Sequence, residues 1–179
     1  RPMLKLISII AAVVVLAVGG ILAYASTLPD TSRLERSLAI KAPPEKIVPL
    51  LDDLHRHAEW SPWEKIDPAM QRSHSGAPRG KGAIYNWEGN SDIGAGRMEI
   101  LETSPSRVLI KLVFLKPIEA NNMAEFTLVP KGDATEVTWA MYGPSPLHFK
   151  VMSLFFDSEK MVGPHFETGL ANLKGIAEK

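Results

Sequence analysis

Tyr85 and His74 are the side chains of this sequence best placed to do chemistry. A phenol buried beside an imidazole can supply a proton to a bound substrate, so Tyr85, with His74 at a pocket mouth, is the candidate for general acid work. The remaining titratable groups offer less. His55-x-His57 is the only close histidine pair, and two residues apart on a helix the rings point away from each other, which argues against a metal site. His148 and His165 fall on the expected surface of a helix. Glu88, Arg97, Glu99 and Glu125 have outward strand parity and read as solvated. No Ser/His/Asp order and no paired-carboxylate spacing stands out. The glycines from Gly76 to Gly82 lack phosphate-loop spacing and precede no helix. There is no cysteine, hence no thiolate nucleophile, no disulfide framework and no Cys-ligated metal. No catalytic set, metal or cofactor is therefore assigned, and recognition of an apolar guest is the chemistry that remains.

The residues that would do the recognising lie on alternating positions. Tyr85 and Trp87 share a face, as do Met98 and Ile100, then Leu112 and Phe114, then Phe126, then Trp139 and Met141. Met152, Phe155 and Phe166 add apolar side chains at helical spacing from the C-terminal stretch. Walls of this kind, apolar with a few polar groups, are typical of small-molecule sites, and methionine adapts to irregular contents. Trp60 and Trp63 read as closing one end of a sheet, with a ligand gate as the alternative.

These residues need a scaffold. Leu147 to Lys179 carries apolar residues at steps of three, four and seven, which predicts one long helix with an apolar stripe, capped at Asp157-Ser158 and bent at Gly163-Pro164. Leu34 to Ile40 alternates as a strand, and Pro44-Glu45 starts a helix whose inner face is Ile47, Leu50, Leu51 and Leu54. His55 to Trp63 reads as a second short helix or turn. From Met70 to Met141 strands alternate with Gly- and Pro-rich breaks, with Gly94-Ala95-Gly96 read as part of a loop, and short breaks favour an antiparallel meander. The fold class is α+β: a curved antiparallel sheet around a long C-terminal helix.

Leu6 to Ala25 is uncharged and long enough to cross a bilayer, so residues 1–26 are expected to be a transmembrane anchor. A signal peptide is the alternative, because Ala23-Tyr24-Ala25 fits a cleavage pattern. Residues 27–32 form a short polar linker, and 33–179 the folded domain. Both readings favour a single-pass or exported arrangement with that domain outside the cytoplasm. The charge balance over the whole chain, 20 basic and 20 acidic residues, argues against a nucleic-acid surface.

Several short motifs then carry a resemblance. Ala42-Pro43-Pro44-Glu45, Trp60-Ser61-Pro62-Trp63, Gly80-Lys81-Gly82-Ala83 with Tyr85-x-Trp87, and Phe166-Glu167-x-Gly169-Leu170 resemble the SRPBCC superfamily, in particular its polyketide cyclase and START-like bacterial members. The element order is similar to the helix-grip, Bet v 1-like fold of that group. The resemblance implies a pocket for a lipid or other hydrophobic small molecule between sheet and C-terminal helix. It implies binding first, a cyclase- or dehydratase-like enzyme in the same pocket as an alternative, and a protein-interaction module as another.

Overall fold

The computed structural model describes residues 1–179. In chain order the elements are helix α1 (Pro2–Ser26), strand β1 (Thr31–Ile40), helix α2 (Pro44–Leu51), two 3₁₀ turns (Arg56–Glu59 and Pro62–Lys65), strands β2 (Gln71–Gly76), β3 (Ala83–Glu88), β4 (Ala95–Ser104), β5 (Arg107–Lys116), β6 (Ala120–Lys131) and β7 (Ala134–Pro144), and helices α3 (Leu147–Ser153) and α4 (Ser158–Ala177). They form two compact units. One comprises Arg1–Ser32 with Pro144–Ser158, the other Arg33–Gly143 with Glu159–Lys179.

The larger unit holds the sheet. Strands β2 to β7 pair with their sequence neighbours, and β1 returns beside β7, giving the order β1-β7-β6-β5-β4-β3-β2. Period-two alternation puts Tyr85 and Trp87, Val108 and Ile110, Ala124, Phe126 and Leu128, and Val137 and Trp139 on the buried face. Helix α2 begins with Pro44 at its first turn and Glu45 beside it, and buries Ile47, Leu50 and Leu51. Pro49 is accommodated inside it. Helix α4 buries Phe166, Leu170, Leu173 and Ala177 at steps of four, three and four. Each large apolar side chain so buried contributes about 1.5–3 kcal/mol. Arg36 of β1 donates to Glu159 (2.8 Å) and Glu167 (3.0 Å) on α4. Its guanidinium fits because residue 163 is glycine, where a Cβ would lie 2.3 Å from Nη2.

Two expectations are corrected here. The C-terminal stretch is two helices: α3 ends at Ser153, with the amides of Phe155 and Phe156 closing its last turn on the Met152 carbonyl, and residues 154–157 are not helical. Winding restarts at Ser158, next to an Asp157-Ser158 pair whose side chains favour helix entry over continuation. α4 then runs through Pro164 without a break. Ala95 and Gly96 are the first residues of β4, not loop: Gly96 pairs with Trp87, and its missing Cβ leaves room for the indole.

In the smaller unit α3 packs on α1. Ala25 is fully buried although almost every other α1 side chain is exposed. The amide of Ser145 donates to the carbonyl of Asp30 (2.7 Å), and the buried Lys150 donates to the Asp30 carboxylate.

Candidate functional site

The inner face of the sheet does not close completely on α4. It leaves a cavity of about 310 Å³, within the larger unit. Volumes near 300 Å³ lie at the small end of those that hold organic ligands. Its walls come from β3 (Tyr85, Trp87), β4 (Met98), β5 (Ile110, Leu112, Phe114), β6 (Ala124, Phe126), β7 (Trp139, Met141) and α4 (Val162, Phe166). The 3₁₀ segment adds His57, Trp60, Ser61, Trp63 and Glu64. Asp92, Lys116 and Pro117 also line it and are exposed, which puts an opening between the β3–β4 loop and the end of β5.

Of the residues singled out in the sequence, Tyr85, Trp87, Met98, Leu112, Phe114, Phe126, Trp139, Met141 and Phe166 meet around this cavity. Ile100 is buried at 1% exposure in the packed core; its cross-strand partner Ile110 lines the cavity, but Ile100 does not. Met152 and Phe155 belong to the smaller unit, and Phe155 is 66% exposed, because the helix they were assigned to ends before it. Trp60 and Trp63, read from sequence as closing one end of the sheet or as a ligand gate, line the cavity, and so do His57 and Glu64, which no sequence signal picks out as ligand-facing. Their contribution depends on the chain reversing through two 3₁₀ turns, and spacing alone carries no sign of that.

One end of the cavity is a packed aromatic cluster. Trp139 stacks on Phe166 with centroids 4.1 Å apart and planes at 7°, and on Phe126 at 5.1 Å. Trp60 meets Trp139 edge-on at 5.3 Å, and its indole N–H donates to the carbonyl of Leu50 (2.8 Å). Trp63 adds a T-shaped contact to Phe166 at 5.6 Å and stacks on His165. Such ring pairs prefer these offset and edge geometries. Towards the opening, Trp87 packs edge-on to Phe114 at 6.1 Å and lies over Gly96.

A small polar group interrupts the apolar wall. The Tyr85 hydroxyl donates to Glu64 Oε1 at 2.6 Å. Arg72 Nε donates to Glu64 Oε2 at 2.7 Å, and its Nη2 donates to the Glu64 carbonyl at 2.9 Å. Burial first, and the Glu64 carboxylate second, push the Tyr85 phenol far above its ordinary pKa. The phenol therefore holds its proton and shares it with Glu64, which makes it a hydrogen-bonding group and a poor acid. His57 is buried, and burial pushes its pKa down. Its Nε2 lies 2.8 Å from the carbonyl of Leu51, which can only accept, so the proton sits on Nε2 and Nδ1 is the free acceptor. His74 does not line the cavity, but it sits opposite Tyr85 on β2 with ring centroids 4.9 Å apart, and it stacks on His55 at 3.9 Å. No group of three or more His, Asp or Glu side chains is disposed to hold a metal ion.

A curved antiparallel sheet gripping a C-terminal helix around an apolar cavity is the helix-grip architecture of the SRPBCC superfamily. The chain belongs to the family described as polyketide cyclase / dehydrase and lipid transport, whose model matches residues 31–178. No curated protein matches it. Among solved structures, a protein from Chromobacterium violaceum is similar over 85% of this chain and 99% of its own, at 18% identity and a TM-score of 0.57. The Aha1 dimer from Colwellia psychrerythraea is similar over 82% of this chain and 96% of its own, at 17% identity and a TM-score of 0.57. The di-domain ARO/CYC StfQ from the steffimycin biosynthetic pathway matches over 83% of this chain and 51% of its own, at 11% identity and a TM-score of 0.60. At these identities the likeness is one of fold. Family and fold together define a hydrophobic-ligand-binding or cyclase-like domain.

Proposed function

We propose that the protein is a membrane-anchored binding domain for a lipid-like or other hydrophobic small molecule, held in the cavity between sheet and α4. The observation that carries this reading is the cavity itself: aromatic and aliphatic walls broken by a Tyr85–Glu64 pair, which the exposed Arg72 braces from outside. A guest with an apolar body and one hydroxyl or carbonyl suits such a wall. The anchor reading draws on α1, whose 25 residues are almost entirely apolar and exposed. The side of the bilayer we assign to the folded domain is the extracytoplasmic one. Native mass spectrometry of the full chain, released from detergent, tests the binding reading. A co-purified apolar mass, displaced by a fluorescent fatty acid, is expected. A protein that carries no ligand and binds no apolar probe would overturn it.

A second reading, a cyclase- or dehydratase-like enzyme in the same cavity, draws on the same Tyr85–Glu64 contact. The raised pKa of Tyr85 speaks against it as the proton donor.

A further inference from the structure

The smaller unit carries an apolar surface that the cavity does not use. In Leu147–Asp157 the side chains of Leu147, Leu154, Phe155 and Phe156 are 47%, 36%, 66% and 59% exposed. Two neighbouring phenylalanines in water are costly, and apolar groups exposed together mark an interaction surface. What covers them follows from what they are attached to. Helix α3 packs on α1, and burial along α1 is confined to its last turns, partial at Ile21 and full at Ala25, with Leu28 just past its end half-buried. The 25 residues of α1, at about 1.5 Å each, extend about 37 Å, against a hydrocarbon core of about 30 Å. Its last turns therefore reach headgroup depth, where the exposed Tyr24 is the kind of side chain that lines a membrane interface. Helix α3 is held at that level. Its lysine is withdrawn from the apolar surface: Lys150 is 7% exposed and pairs with Asp30 in the linker.

We propose that Leu154, Phe155 and Phe156, fixed by α3 to the last turns of α1, insert into the headgroup boundary of the bilayer that α1 spans. The occupant of this surface is lipid. The segment lies in the interface plane, its rings buried roughly 5–10 Å deep as in other interfacial segments. It gives the anchor a second, shallow attachment, so that α1 neither rotates nor slides freely at its exit. The inference rests on the reading of α1 as an anchor, and the test separates the two.

The sequence has no cysteine, so single ones can be introduced into the full chain and labelled with a polarity-sensitive fluorophore. Phe155→Cys, Phe156→Cys and Val14→Cys are reconstituted in phosphatidylcholine vesicles carrying nitroxide quenchers either near the headgroup or at the chain end. Leu147→Cys reads the same segment with both phenylalanines intact. The expected result is blue-shifted emission at 147, 155 and 156, quenched best by the headgroup-proximal nitroxide, with Val14 quenched best by the deep one. Water-like, unquenched emission at 147, 155 and 156 with Val14 still quenched would overturn this inference and leave the anchor. Blue-shifted emission at these sites that no lipid quencher reaches would overturn it in favour of a protein contact. A Val14 label out of reach of both quenchers would overturn the anchor reading, and the inference with it.

Discussion

Tyr85 donates its phenolic hydrogen to Glu64 across 2.6 Å, from β3 to the second 3₁₀ turn, inside a largely apolar wall. The contact ties the first part of the cavity wall to the sheet and leaves Glu64 shared between a phenol and the Arg72 guanidinium. Removing the phenol's oxygen tests whether the pair binds or reacts. Tyr85→Phe leaves Glu64 its arginine, so the expected stability loss, read by urea denaturation, is about 1.5–3 kcal/mol, the usual range for hydrogen bonds to a charged group. Affinity for a purely apolar probe should be nearly unchanged. Abolition of a turnover reaction by this substitution would instead favour the enzyme reading.

Filling the void is the complementary experiment. Leu112 lines the cavity in the middle of β5, and Leu112→Trp places its extra atoms in empty space. Thermal stability should hold or rise, while displacement of a fluorescent fatty acid should be lost. Retained binding together with a lowered Tm would mean that the space is not where the guest sits.

Gly96 tests the wall's geometry. A Cβ there would lie 2.4 Å from the Trp87 indole and 2.5 Å from the Val113 carbonyl, and the carbonyl cannot swing aside. Gly96→Ala should therefore shift Trp87, lower stability by about 1–3 kcal/mol, as overpacking does, and weaken probe binding. Tryptophan emission before and after probe addition reports the displacement.

His57 predicts an acid limit. Its folded pKa is lowered by burial, while in the unfolded chain it returns to about 6.5. The unfolded state then binds the proton more readily, so stability is full above that value and declines as pH falls below it, until the folded group also titrates. His74, lowered by burial and by His55, acts in the same direction. His57→Gln should flatten, though not abolish, the fall in Tm between neutral and mildly acidic pH.

Membrane sidedness has a direct readout. Lys131→Cys places the only thiol of the chain at the exposed end of β6. An impermeant maleimide added to intact cells should label it, and labelling only after lysis would reverse the assignment.

Strand parity was legible because it is local: period two in Val108–Phe114 and Val137–Met141 fixes which side chains face α4 whatever the strands do later. The partner of Tyr85 was not, since Glu64 lies 21 residues upstream and reaches it only after two 3₁₀ turns. Nor was the division of the C-terminal stretch. Met152 and Phe155 keep helical phase with Phe166, and phase is blind to the unwound residues 154–156 that carry Phe155 out to the surface. Gly96 looked like a loop residue because glycine marks both turns and close approaches, and only the position of Trp87 separates the two.

The stacking of Trp139 on Phe166 also sets a measure. Phe126, the ring beneath that stack, pairs with Val108, eight positions along β5 from Lys116 and so about 26 Å from the end where Lys116 marks the opening. A guest threading inward past Lys116 has a fixed depth before its leading atoms strike ring faces. Among homologous chains of increasing length, those beyond that depth must leave their tails in water, and the protein becomes a ruler.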